Sequence, residues 1–123
     1  MDANGVAQQF ISAYMGALAS GNVAGMSALY GADSTVMYDG AMAKGQAAIA
    51  ATFIAPRLAG GVKARVSGFS AQGTATGHLL VTLDGDFDKP AGHFMLVILL
   101  SPTPTGGMYI KAEVGRCVGA RSP

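Results

Sequence analysis

The sequence of 123 residues has one cysteine, Cys117, and few charges. A lone thiol excludes an intrachain disulfide and any zinc site built on a cysteine cluster, and it suits a reducing compartment. Charged residues make up 12% of the chain, against ~25% in an average soluble protein. Neither sign dominates: 8 Lys and Arg against 7 Asp and Glu leave a formal net charge of +1. Such a chain carries no electrostatic footprint for nucleic acid or for an anionic membrane. Long apolar runs are missing as well. The longest, Phe94 to Leu100, is far short of the about 20 residues a spanning helix needs, so no membrane insertion is expected. The opening Met1-Asp2-Ala3-Asn4 has an acid and no basic residue, so neither a secretory nor a mitochondrial leader is expected.

What the chain has in quantity is apolar surface. Half of its residues are hydrophobic, enough to pack an interior, and the length fits one domain over residues 1–123. So few charges leave two ways to finish the outside. Either small residues cover it, or part of it is buried against a partner.

The first third reads helical. Val6, Phe10, Ile11, Tyr14, Ala17 and Leu18 fall three and four apart on one stripe, with Asn4 as the expected N-cap and Gly21 as the stop. Asn22 is expected to cap a short second helix carrying Val23, Met26, Leu29 and Tyr30 on one side. Ser34 to Tyr38 is β-rich, and Asp39-Gly40 is a turn signal. A third helix follows Gly45 and is expected to close at Pro56, with Ile49 and Phe53 facing the core.

The second half changes character. Val62 to Ser70, Gly77 to Phe87, His93 to Leu100 and Met108 to Val118 are strand candidates separated by turn residues, including Gly60-Gly61 and Asp88-Lys89-Pro90. Alternation sets Val62, Ala64 and Val66 against Lys63 and Arg65. It likewise sets Ile110, Ala112 and Val114 against Lys111 and Glu113. Short links predict antiparallel pairing. Helices followed by strands give the α+β class: three helices on one face of a bent sheet of four to six strands, a cone with an open mouth. The run Phe94 to Leu100 lacks polar alternation, so both of its faces are expected to be buried, one under the helices and the other against a second copy of the chain.

The segment Leu29-Tyr30-Gly31-Ala32-Asp33-Ser34-Thr35-Val36-Met37-Tyr38-Asp39-Gly40, with Lys44-Gly45-Gln46-Ala47-Ala48-Ile49 after it, resembles the nuclear transport factor 2 family. The likeness runs from about Val6 to Val118. It implies the family's cone and a homodimer through the sheet. It also implies a non-enzymatic carrier that binds the GDP form of a Ran-type GTPase and Phe-rich nucleoporin repeats, working in the cytoplasm, the nucleus and at the nuclear envelope. Carried over residue by residue, the contact residues are Tyr38, in place of a Trp at the mouth, with Asp39, Asp86 and Asp88. Tyr14, Phe53 and Phe94 would line the cavity. Lys89 stands where an acid is expected, and Gly115 where a cavity-lining Phe is expected.

The ketosteroid isomerases share the resemblance over the same first helices and strand. Their chemistry uses a Tyr and a protonated Asp to hold an enolate, and a second Asp as base. Tyr14 matches the tyrosine, but the base position holds Tyr38 and the other aspartate position holds Gly92. With one of three groups in place, no enzymatic activity is expected; Asp39 is the only acid beside the base position. A structural subunit of a larger assembly is the alternative to the carrier.

The remaining candidates read modestly. His78 and His93 have no metal-ligand spacing, so neither a metal nor a cofactor is expected. Asp84, Asp86 and Asp88 alternate onto one face, as a solvated hairpin end or as a rim for a basic partner. Cys117 is expected to be a buried small hydrophobe, and the seven methionines to fill the core.

Overall fold

Helix α1, Ala3–Ser20, begins two residues earlier than the expected Asn4 cap would place it, because the side chain of Asp2, and not of Asn4, caps it by accepting from the Gly5 amide at 2.8 Å. It ends at Gly21, whose φ of 68° lets the amides of Gly21 and Asn22 return to the carbonyls of Leu18 and Ala17. Asn22 caps α2, Val23–Ser27, through its bond from the Gly25 amide. Tyr30 does not join this helix; it opens strand β1, Tyr30–Tyr38. These coordinates are a computed structural model that describes residues 2–59, 61–89 and 91–118, with the side chains of Lys89, Ala91 and Val118 excepted. The expected turn residues Gly60 and Pro90, and the side chain of Lys89, lie outside the described residues.

Asp39 and Gly40, both at positive φ, turn β1 into β2, Ala41–Lys44. Helix α3, Gln46–Ile49, then widens into a π turn over Ala50–Ile54 and continues as α4, Ala55–Ala59. Pro56 therefore does not close the helix. A proline lacks the amide for a normal helical bond and its ring crowds the carbonyl a turn back; the wider turn just before it takes up both. The extra turn carries Arg57 and Leu58 over the cone.

Four long strands complete the sheet: β3 Lys63–Gly73, β4 Leu79–Lys89, β5 Ala91–Pro102 and β6 Met108–Val118. Their order is β2-β1-β6-β5-β4-β3. All neighbours pair antiparallel except β1 and β6, which run parallel. The helices cover the concave face, where Val36, Val81, Ile98, Leu100 and Ile110 are buried. Among the described residues no helix is long and apolar enough to cross a membrane.

Strand β5 alternates after all. Phe94, Leu96, Ile98 and Leu100 point inward, while Met95 and Val97 are 59% and 43% exposed on the convex face. Met37, Met42 and Val114 share that exposed face through the cross-strand pairs Met37↔Met42, Met37↔Val114 and Val97↔Val114. Three methionines thus lie outside the core they were expected to fill, whereas Met26 is buried.

The main departure from the sequence pattern is in β6. Leu99 pairs with Ala112, but Leu100 pairs with Ile110, so Lys111 is bulged out of the ladder. A one-residue bulge exchanges the two faces of everything beyond it. Ile110 and Glu113 consequently both face inward, and Val114 is turned out.

Candidate functional site

Glu113, expected at the surface, is 1% exposed at the heart of the cone. Three tyrosines from two elements converge on it. Tyr30, at the start of β1, donates to Oε1 at 2.6 Å; Tyr14, from α1, donates to Oε2 at 3.2 Å; Tyr38, at the end of β1, donates to Oε2 as well. The Tyr14 and Tyr38 hydroxyls are 3.5 Å apart. Buried carboxyls are tolerated where their lone pairs are satisfied in this way.

Tyr38 is held on every side. Its ring packs against Phe53 with centroids 5.2 Å apart, and the Arg57 guanidinium lies over its face at 4.3 Å. Beneath it is Gly115, its partner in the parallel β1–β6 register. A Cβ at residue 115 would stand 1.8 Å from the Tyr38 ring. Gly85 receives the ring of its partner Phe94 in the same manner, at 2.6 Å.

The electrostatics follow from burial. Loss of solvent pushes the Glu113 carboxyl above its ordinary value, while hydrogen bonds from Tyr30 and Tyr38 and the charge of Arg57 pull it back. Burial, then the nearby carboxyl, raises all three tyrosines well above the usual phenol range. Burial opposes the charge on Arg57, but the Tyr38 and Tyr14 oxygens outweigh it, and the guanidinium stays charged.

Two small hollows flank Arg57, and Tyr14, Leu18 and Tyr38 border both. Each has a volume of about 10 Å³, room for one water. Phe94 and Cys117 line the first, and Phe53 lines the second. Cys117 is half-buried and faces Arg57, a neighbour that the strand sequence does not show; burial raises its thiol and the Arg57 charge partly offsets this.

The residues expected to meet a partner are spread out. Tyr38 is inside, 7% exposed. Asp39 is exposed at the β1–β2 turn. Asp84, Asp86 and Asp88 share the convex face of β4, where Asp86 pairs with His93 and accepts from Ser67, and Asp88 is 3.8 Å from Arg65. His78 bonds Thr76 within the β3–β4 loop. Among the described residues no three His, Cys, Asp or Glu side chains gather as metal ligands.

Residues 6–116 match the family described as the nuclear transport factor 2 (NTF2) domain. The chain belongs to that family. Its fold is also similar to solved structures. Nuclear transport factor 2 from Cryptosporidium parvum superposes with a TM-score of 0.74 at 21% identity, covering 93% of both chains. A ketosteroid isomerase-like protein from Erwinia carotovora atroseptica gives 0.74 at 14% identity, covering 94% of this chain and 96% of the other. A protein with a cystatin-like fold from Caulobacter vibrioides gives 0.84 at 17% identity, covering 95% and 90%. No curated protein matches the sequence. The NTF2-like cone thus has neighbours named for transport and for isomerisation.

The isomerase expectation changes in one respect. The cone does hold a buried carboxyl beside Tyr14, but it is Glu113 on β6, at neither of the positions held by Tyr38 and Gly92. The signal that could have found it is compositional: Glu113 is the one acid in β6, Met108–Val118.

Proposed function

We propose that the protein is a non-enzymatic carrier of the transport-factor type. The observation that carries this reading is the filled cone. Tyr38 occupies the space above Gly115, and the tyrosines already bond both oxygens of Glu113. The two hollows beside Arg57 each have room for one water, which supports a reading without a ketosteroid-sized substrate. Binding then falls to the outside.

On this reading the protein is a homodimer through the apolar convex face carrying Met95, Val97 and Val114. A Ran-type GTPase in its GDP form meets the acids Asp39, Asp86 and Asp88, while Tyr38 shapes the mouth from within. Phe-rich nucleoporin repeats bind elsewhere on the dimer, and the carrier moves between cytoplasm and nucleus. The family match and the exposed Asp39 and Asp88 support it. The same convex face also favours a second reading, a structural subunit packed permanently into a larger assembly.

The experiment is capture of purified GTPase, loaded with GDP or with a GTP analogue, on the immobilised dimer. Retention of the GDP form alone, lost in Asp39→Lys while the dimer persists, is expected. No retention by the wild-type protein overturns the carrier. Co-purification of many stoichiometric subunits from its own cells then favours the structural role.

A further inference from the structure

The helices cover the concave side of β5 and leave its convex side open, where Met95, Val97 and Leu99 follow one another as an apolar spine. The two neighbouring strands flank this spine with different chemistry. On β4, the partners of Leu99, Val97 and Met95 are Leu80, Thr82 and Asp84. On β6, the same three residues pair with Ala112, Val114 and Arg116. Met95 therefore stands between an acid and a base. Both are exposed, and among the described residues neither takes part in an ion pair. Asp86 and Asp88, by contrast, already pair with His93 and Arg65.

We propose that two copies of the chain stack these spines with both β5 strands running in the same direction, so that Asp84 of each copy pairs with the partner's Arg116. This rests on the homodimer of the carrier reading and adds its orientation and the residues that set it. Sheets packed face to face lie about 10 Å apart, a gap that an arginine and an aspartate span end to end. A two-fold axis along β5 returns each position to the same height on the opposite flank. It therefore brings acid over base twice, and keeps apolar spine on apolar spine. An axis across the strands at Val97 would lay Asp84 over Leu80 and Arg116 over Ala112, leaving both charges desolvated on apolar neighbours. Moved to Met95, that axis would set like charges together. The charges thus select one of the ways in which the apolar spine can bury itself, which is the use of charge at an interface that most affects specificity. Asp86 and Asp88 lie past the Met95 end of the spine and keep their own partners.

The test is sedimentation equilibrium of the whole chain and of two charge reversals, Asp84→Arg and Arg116→Asp, each checked for folding by circular dichroism. Each variant alone sets like charges opposite one another twice, so its dimer is expected to dissociate at least about tenfold more readily than the wild type. An equimolar mixture of the two restores both pairs and should associate nearly as tightly as the wild type. So should the double variant, in which the pair is reversed. For the wild-type protein, the dissociation constant should rise at least about threefold between low salt and about 0.5 M sodium chloride, a readout that needs no variant. A wild-type dimer that is indifferent to salt, single variants that dimerise like the wild type, or a mixture no tighter than its components overturns the orientation and leaves the dimer of the carrier reading standing. A wild-type protein that sediments as a monomer overturns both, and assigns the convex face to a different protein.

Discussion

Gly115 and Tyr38 occupy paired positions on adjacent parallel strands, and the side chain that Gly115 lacks is the space that the Tyr38 ring fills. A Cβ 1.8 Å from ring carbon cannot be accommodated without moving the tyrosine. Gly115→Ala is therefore expected to destabilise the protein by about 1–3 kcal/mol, the usual range for overpacking. In a Tyr38→Ala background the same change should cost little. Urea unfolding of the four proteins of this cycle measures the coupling; additive effects would show that the two residues do not compete for one space.

The carboxyl network makes a second prediction. Glu113→Gln keeps the volume and some of the hydrogen bonds, whereas Glu113→Ala leaves three buried hydroxyls without their acceptor. The alanine variant is expected to lose several kcal/mol and the glutamine variant clearly less, since each orphaned buried polar group costs about 1–3 kcal/mol. Tyr30→Phe should fall in the range of one such bond. Denaturant midpoints at neutral pH rank the variants.

Acidity supplies a third. Burial raises the Glu113 carboxyl above its ordinary value of 4.5, so the folded state holds this proton more tightly than the unfolded chain does. Its contribution is fully present below pH about 4.5 and declines as pH rises through the folded value. Subtracting the Glu113→Gln melting curves from the wild-type ones isolates this group. The difference should turn against the wild type as the pH rises. At the alkaline end, the raised tyrosines predict a further loss above pH 10, where the unfolded phenols ionise and the folded ones do not.

The convex face supplies the fourth. Val97 and Val114 are paired neighbours and 43% and 54% exposed in the single chain. Val97→Glu with Val114→Lys in separate proteins should each yield a folded monomer, with little change in secondary structure and a halved mass in sedimentation. Mixing the two should restore a dimer if the strands oppose one another. A protein that is already monomeric before mutation would remove the dimer from the carrier reading.

Much of this architecture was legible in local chemistry. The Gly21 stop, the Asn22 cap and the Asp39-Gly40 turn each follow from one residue's backbone or side-chain preference. The four long strands follow from alternation between turn residues. The site was not legible, because it depends on two breaks in regularity. Alternation put Glu113 on the surface, and the bulge at Lys111 reverses that. Proline chemistry ended the third helix at Pro56, and the π turn carries it on to Arg57. Both breaks are stabilised by partners distant in sequence. Tyr14, for example, bonds Glu113 across 99 residues, and no window of local sequence contains both.

The parallel pairing of β1 with β6 also orders events during synthesis. Strand β6 is the last strand of the described chain, yet it lies in the interior of the sheet, between the first strand and the fifth. Until Met108–Val118 leaves the ribosome, β1 and β2 have no bond to the β3–β5 sheet, and Tyr30 and Tyr38 have no carboxyl to meet. A nascent chain arrested before Lys111 is expected to remain open, sensitive to protease and a client for chaperones, and to close only when its C-terminal strand arrives.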